Sequence, residues 1–236
     1  MAADITRLEP VAEDIWILSG ETVSFHGIPF TTRSVVIRLP EGGLWVHSPV
    51  LPVPSLDGPL CELGPVKYLI APNKIHSMGI KPWQERWPEA QTWVSPRFNE
   101  RHPDIPATRA LSGAPPAPWS GVIDQHVFAG NSLLDEVVFL HKPSRTLIVT
   151  DLIQKHVADE PWYWRLLKRA AGIRGEKGGT ARDIRACFRD REAARASRDH
   201  ILGWDFDTLL LSHGLCLYSG ARPEVVRALS WLGASE

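Results

Sequence analysis

The stretch "DEVVFLHKPSRTLIVTDL" (135–152) constrains this chain more than any other. Two β-branched, apolar arms flank the turn "HKPSR", a pattern that fits an antiparallel hairpin. Shorter runs of the same character recur: "IWILSGE" (15–21), "RSVVIRLP" (33–40), "GLWVHSPV" (43–50), "VKYLIAPN" (66–73), "AQTWVSP" (90–96), "QHVFAG" (125–130) and "FDTLLLSHG" (206–214). Each has strand length and turn residues at its boundary. The unbroken apolar run at 66–73 predicts a strand buried on both faces. Helices are predicted at 55–64 (Ser55 capping, Gly64 ending), 159–172, 179–202 (Thr180 as N-cap) and 222–233. Residues 76–87 suit a helical turn or two broken at Pro82, and 97–120 reads mostly as loop. Strands, a helix, strands, helices, then strand and helix predict sheets covered by helices on their outer faces. No repeat or linker divides the 236 residues, so one domain over 1–236 is expected.

Composition excludes several classes. The formal net charge of −1 gives no global attraction to nucleic acid or anionic membrane. Charge so near zero weakly favours self-association, which allows a homodimer. The three cysteines, Cys61, Cys187 and Cys216, are odd in number and widely spaced, against a disulfide framework or a cysteine-based zinc site. "MAADITRLEPVAEDIW" has no basic or apolar leader region, and no run of roughly 18 apolar residues exists, so a cytoplasmic chain without an integral membrane segment is expected. No G-x-S-x-G elbow is present, against a serine hydrolase. Cys216 lies close to His213, but in an apolar stretch, and reads as a buried residue rather than a nucleophile.

The chemistry gathers where apolar runs stop. His47 ends "LWV", Asn73 ends "YLIAP" with His76 following, Asp151 ends "TLIVT", and His213 ends "TLLLS" before Gly214. In layered α/β folds, sites form in the crevice at strand ends. Neutral imidazoles and a carboxylate suit zinc, iron or manganese, with an open position for water. Each residue also has a plainer reading, as a hydrogen-bonded structural histidine or a turn aspartate.

At these residues the chain resembles the metallo-β-lactamase superfamily, whose motif H-x-H-x-D-H follows a buried strand. The corresponding stretch here is Ala71-x-Asn73-x-Ile75-His76, in which the final histidine alone is kept. Asp151 in "IVTDL" matches the family's strand-end aspartate, and His213 in "LLLSHG" its final histidine. The family's middle histidine has no counterpart. Asn131 and Ser132 lie closest to that place, and Asp135 or Glu136 could reach the same space. The family's acidic residue on the preceding strand falls near His47. The resemblance, from "IWILSGE" to the last helix, implies a four-layer αβ/βα sandwich. It further implies one divalent metal on His76, Asp151 and His213, with His47 filling the vacant place, Asn73 and Glu136 in support, and Asp151 and His213 serving catalysis. A metal-bound hydroxide would then attack an ester, thioester or phosphoester of a small molecule. Loss of the remaining ligands implies the opposite outcome equally: a decayed site holding no metal, on a fold kept for binding or scaffolding.

"PWYWRLLKRAAGIRGEKGG" (161–179) mixes tryptophans with arginines and lysines. The expected arrangement packs Trp162 and Trp164 inward and leaves the basic residues in solvent. The alternatives are a substrate lid built on Trp162 and Trp164, or a face lying on a membrane. Arg182, Arg185, Arg189, Arg195 and Arg198, interleaved with acids, read as a solvated helical face.

Overall fold

The computed structural model describes residues 8–25, 27–157, 160–175 and 177–233. Three sequence expectations therefore fall partly outside the described residues: the start of the 159–172 helix at Asp159, Glu176 in the glycine-rich segment, and the first seven residues of the N-terminal stretch. The chain divides into two compact units, Met1–Ser112 and Gly113–Glu236. The division falls inside the 97–120 segment.

The first unit is built on a seven-stranded sheet in sequence order: β1 (Leu8–Ala12), β2 (Ile15–Phe25), β3 (Ile28–Arg38), β4 (Leu44–His47), β5 (Val66–Ala71), β6 (Gln91–Val94) and β7 (Arg109–Ala110). β1 to β4 run antiparallel, and β4 to β7 are parallel. Parallel pairing needs crossovers. These are supplied by α1 (Asp57–Leu63) between β4 and β5, and by α2 (Ile80–Arg86) between β5 and β6. Leu18, Val36, Val46, Leu60, Leu69, Ile80 and Trp83 belong to one buried cluster, which ties the sheet to both crossovers.

The second unit carries a four-stranded sheet ordered β11 (Thr208–Leu211), β10 (Thr146–Val149), β9 (Val137–His141), β8 (Ile123–Val127). The expected hairpin is β9 and β10, with Thr146 opposite His141 and Arg145 at φ 51° closing the turn. α3 (Trp162–Ala171), α4 (Arg182–Ala186), α5 (Arg191–Leu202) and α6 (Ala221–Leu229) complete the unit. Val138, Val149, Phe188, Ile201, Leu211 and Val225 join strands and helices in a second core.

The 97–120 segment is mostly loop, as expected, and contributes β7, two residues paired with β6. Four local expectations need correction. Pro82 does not break α2, because it is the third residue, where the N–H has no intrahelical acceptor. The helix expected over 179–202 is two, α4 and α5. Arg189 and Asp190 turn their N–H groups to the Gly130 carbonyl, and the Asp190 carboxylate then accepts from Ala193 N at 2.9 Å as the cap of α5. Neither Ser55 nor Thr180 caps a helix with its side chain: the hydroxyl of Thr180 instead accepts from the Trp231 indole N–H at 3.0 Å. The arginine face is not uniformly solvated, since Arg198 is buried and bonds Asp199 and the Gly233 carbonyl. β1 escapes the periodicity argument altogether. It is an edge strand carrying Pro10 with an irregular burial pattern, and only pairing with β2 defines it.

Candidate functional site

In the first unit the polar residues gather beyond the C-terminal ends of the parallel strands β4 and β5. His47 lies opposite Ile70, and Ser48 N donates to the Ile70 carbonyl at 2.9 Å. The chain then turns through Ser48 at φ 49°, a left-handed conformation uncommon for serine. The Ser48 carbonyl accepts from Ser34 Oγ at 3.0 Å, and Ser34 Oγ accepts in turn from Val50 N at 2.8 Å. The strained turn brings Ser48 Oγ within 2.6 Å of His76 Nδ1.

His76 is held from its other side by Asn73. The Asn73 amide oxygen accepts from Ile75 N at 2.9 Å and His76 N at 3.1 Å, the geometry of an Asx turn. Gly79 lets the same loop lie against the Pro49 carbonyl, where a Cβ would stand 2.0 Å from that oxygen. Trp83 on α2 anchors it by donating from Nε1 to the Val50 carbonyl at 2.6 Å.

His47 is fully buried and stacks along Trp45, with ring centroids 5.7 Å apart. Burial, reinforced by the nearby His76, lowers its pKa to about 3, so the imidazole is neutral at physiological pH.

In the second unit β10 and β11 are parallel and in register, Val149 beside Leu211. Asp151 and His213 each follow by two residues, so they emerge side by side on one edge of the sheet. His213 Nε2 lies 3.5 Å from Asp151 Oδ1, and both residues are buried.

Glu136, just before β9, fixes the turn that carries Asp151. Its Oε1 accepts from Thr150 N, and its Oε2 from Asp151 N and Leu152 N, all at 2.8 Å. A buried carboxylate is costly unless hydrogen-bonded, and here three backbone donors surround it.

Gln154 extends the network, donating to Asp151 Oδ1 at 3.3 Å and pairing with His156 Nε2 at 3.0 Å. His156 stacks near His213 with ring centroids 6.4 Å apart. Burial first, then the charges of Lys168, His213 and Arg174, lowers the His156 pKa to about 3. Gly214, at φ 100°, permits this crowding: a Cβ there would meet the Lys155 carbonyl oxygen at 2.0 Å.

Of the other residues near the family's missing histidine, Asp135 is buried, and Asn131 and Ser132 hold the local backbone. The Asn131 amide oxygen accepts from Leu133 N and Leu134 N at 2.8 Å, and Ser132 Oγ donates to the Cys187 carbonyl at 3.0 Å. Cys216 is buried as expected, its Sγ accepting from Leu211 N at 3.3 Å, and none of the three cysteines is in a disulfide.

The tryptophans of α3 contradict the expected packing. Trp162 is 69% exposed and Trp164 half-buried, while Lys168 is the helix's buried residue. Trp162 and Trp164 do not share a helical face, being two residues apart.

The sequence reading missed Ser48, Gln154 and His156. Ser48 follows a strand-end histidine, and "QKH" (154–156) is a polar run just after a strand-end aspartate. Both signals were present at the strand ends already singled out.

The whole chain superposes on solved metallo-β-lactamase structures. The metallo-β-lactamase from Pontibacter korlensis is 12% identical with a TM-score of 0.65, over 97% of this chain and 99% of that one. The metallo-β-lactamase from Erythrobacter litoralis, solved with β-mercaptoethanol in its active site, is 12% identical with a TM-score of 0.67, over 98% of each chain. The Flv1 flavodiiron core from Synechocystis sp. PCC6803 is 14% identical with a TM-score of 0.66, over 96% of this chain and 60% of that one. At such identities the likeness establishes the fold, which is the metallo-β-lactamase type expected from the motif. Among curated proteins no match is found. A family model matches residues 12–210, most of the chain, and the protein accordingly belongs to the family described as a domain of unknown function, DUF4336.

Proposed function

We propose that this protein is a metal-dependent hydrolase with a single divalent metal, for which the family resemblance implies His76, Asp151 and His213 as ligands. The observation that carries the reading is the Asp151–His213 pair. A carboxylate and an imidazole stand 3.5 Å apart at matching positions of two parallel strands. Buried together with charge-assisted backbone support, they are a donor set suited to zinc, iron or manganese.

Bound there, the metal would supply Lewis acidity and a water of lowered pKa. The chain's own residues do the rest. Glu136 holds the Asp151 backbone through the N–H groups of Thr150, Asp151 and Leu152. Gln154 donates to Asp151 Oδ1 and orients the carboxylate. Ser48 Oγ engages His76 Nδ1, and with Nδ1–H donating to that hydroxyl Nε2 would be left as the ligand atom. Asn73 fixes the His76 backbone, and His47 lies buried beside Trp45 as a neutral imidazole. The substrate in this reading is a small-molecule ester, thioester or phosphoester, with Trp162 or Trp164 bordering its entry.

A second reading, a non-catalytic protein with a decayed site, is favoured by one observation. Asn73, standing where the family motif has histidine, puts its amide oxygen on the Ile75 and His76 N–H groups. One experiment separates the two. Chain purified without chelator is analysed for zinc, iron and manganese, and its thermal midpoint is followed as each is added back. The hydrolase reading expects one equivalent of metal, a raised midpoint, and loss of both in Asp151→Ala and His213→Ala. Absence of metal, with no stabilisation by any of the three, refutes it.

A further inference from the structure

Helix α3 has its polarity inside out. At ~100° per residue, Trp162, Tyr163, Leu166 and Leu167 occupy one arc of ~140°. That arc faces solvent, with the four side chains 69%, 49%, 59% and 44% exposed. Lys168, on the opposite side, is buried and ion-paired with Glu160. An ordinary surface helix does the reverse. Arg165 and Arg169 border the apolar arc. Together with Arg174 and Gly175 they line a groove whose remaining walls are Trp162 and Leu166. Of the four cationic side chains in residues 161–175, Lys168 and Arg174 turn to Glu160, Arg174 Nη1 lying 3.9 Å from its Oε2, and Arg165 and Arg169 are exposed. Positive charge is thus concentrated where large apolar side chains are presented.

We propose that α3 is a membrane-surface element that binds bilayers containing anionic phospholipid. Trp162, Tyr163, Leu166 and Leu167 enter the headgroup region, and the exposed Arg165 and Arg169 engage lipid phosphates. The charge complementarity argues for this occupant. An aromatic-rich apolar stripe bordered by arginines matches the interfacial zone, where indole and phenol rings settle and guanidinium groups meet phosphate. Among the described residues no helix is long and apolar enough to cross a membrane, so the attachment is peripheral. The chain's overall charge gives no such attraction, but attraction at close range depends on local charge within a Debye length.

The test is co-sedimentation of the full chain with phosphatidylcholine vesicles, with and without phosphatidylglycerol. Binding is expected only with phosphatidylglycerol, and it weakens as NaCl rises. The double variant Trp162→Ser/Leu166→Ser lowers affinity roughly tenfold or more. Arg165→Gln/Arg169→Gln lowers it several-fold, and Leu133→Ser, exposed but outside α3, leaves it unchanged. All replaced side chains are solvent-facing, so unchanged thermal midpoints confirm folding. Failure to bind phosphatidylglycerol vesicles overturns the proposal, as does undiminished binding by either α3 variant. A dimer that the Trp162→Ser/Leu166→Ser variant dissociates, without vesicle binding, overturns it in favour of a second copy on this face.

Discussion

Glu136→Gln isolates the device that positions Asp151. The replacement keeps size and reach but removes the charge and one acceptor. With its amide oxygen placed at the Oε2 position, glutamine still accepts from Asp151 N and Leu152 N, while its NH₂ group faces Thr150 N–H. Two bonds falling from charged to neutral strength lose about 1 kcal/mol each, and one orphaned buried donor costs about 1–3 kcal/mol more. The sum is roughly 3–5 kcal/mol, or a fall of about 10–20 °C in the melting midpoint for a unit of this size. Urea denaturation, followed by signals assigned to each unit, measures the loss, which is expected in the second unit. Metal affinity should fall in parallel, because the N–H groups released include that of Asp151. Glu136→Asp keeps the charge but withdraws it by one methylene, and so separates the effect of charge from that of reach. A loss below about 1 kcal/mol in Glu136→Gln would refute the reasoning, since the three backbone donors would then find other partners at little cost.

Two further outcomes follow from the same geometry. Ser48→Ala removes the 2.6 Å partner of His76 Nδ1, and should weaken metal binding about 10–100-fold, read by calorimetry, with a smaller change in stability. His126, stacked on His200 at 4.2 Å, has its pKa lowered to about 4, chiefly by burial and then by the His200 charge. The folded state therefore resists a proton that the unfolded state accepts near pH 6.5, and stability present above that pH is lost as pH falls towards about 4. His126→Gln should flatten this part of the profile in denaturation series from about pH 7 to about pH 4, and an unchanged slope would count against it.

Much of the fold was legible because its signals are local. The 135–152 hairpin declares itself through two β-branched arms and a short turn, and 66–73 through an apolar run whose end, Leu69–Ala71, is buried, although Lys67 at its start is exposed. The strand-end residues His47, Asn73, His76, Asp151 and His213 were visible for the same reason, since a change from apolar to polar at a fixed point needs no partner to be read. What periodicity could not resolve depends on neighbours. β1 exists by virtue of β2, and the break between α4 and α5 depends on the Gly130 carbonyl, some sixty residues upstream in the chain.

The sequence by itself determined the central strands, the succession of strand-rich and helical stretches, and the residue types available for chemistry. Tertiary structure alone decided which of them meet. Parallel, in-register pairing of β10 with β11 sets Asp151 beside His213, and Glu136 becomes a brace because the turn after β10 aims three N–H groups at it. α3 shows the limit most clearly. Its sequence contains both apolar and basic residues, and only the buried ion pair of Lys168 with Glu160 fixes which side faces the protein. A charge withdrawn from water needs a partner, and that partner can be supplied only by the folded chain.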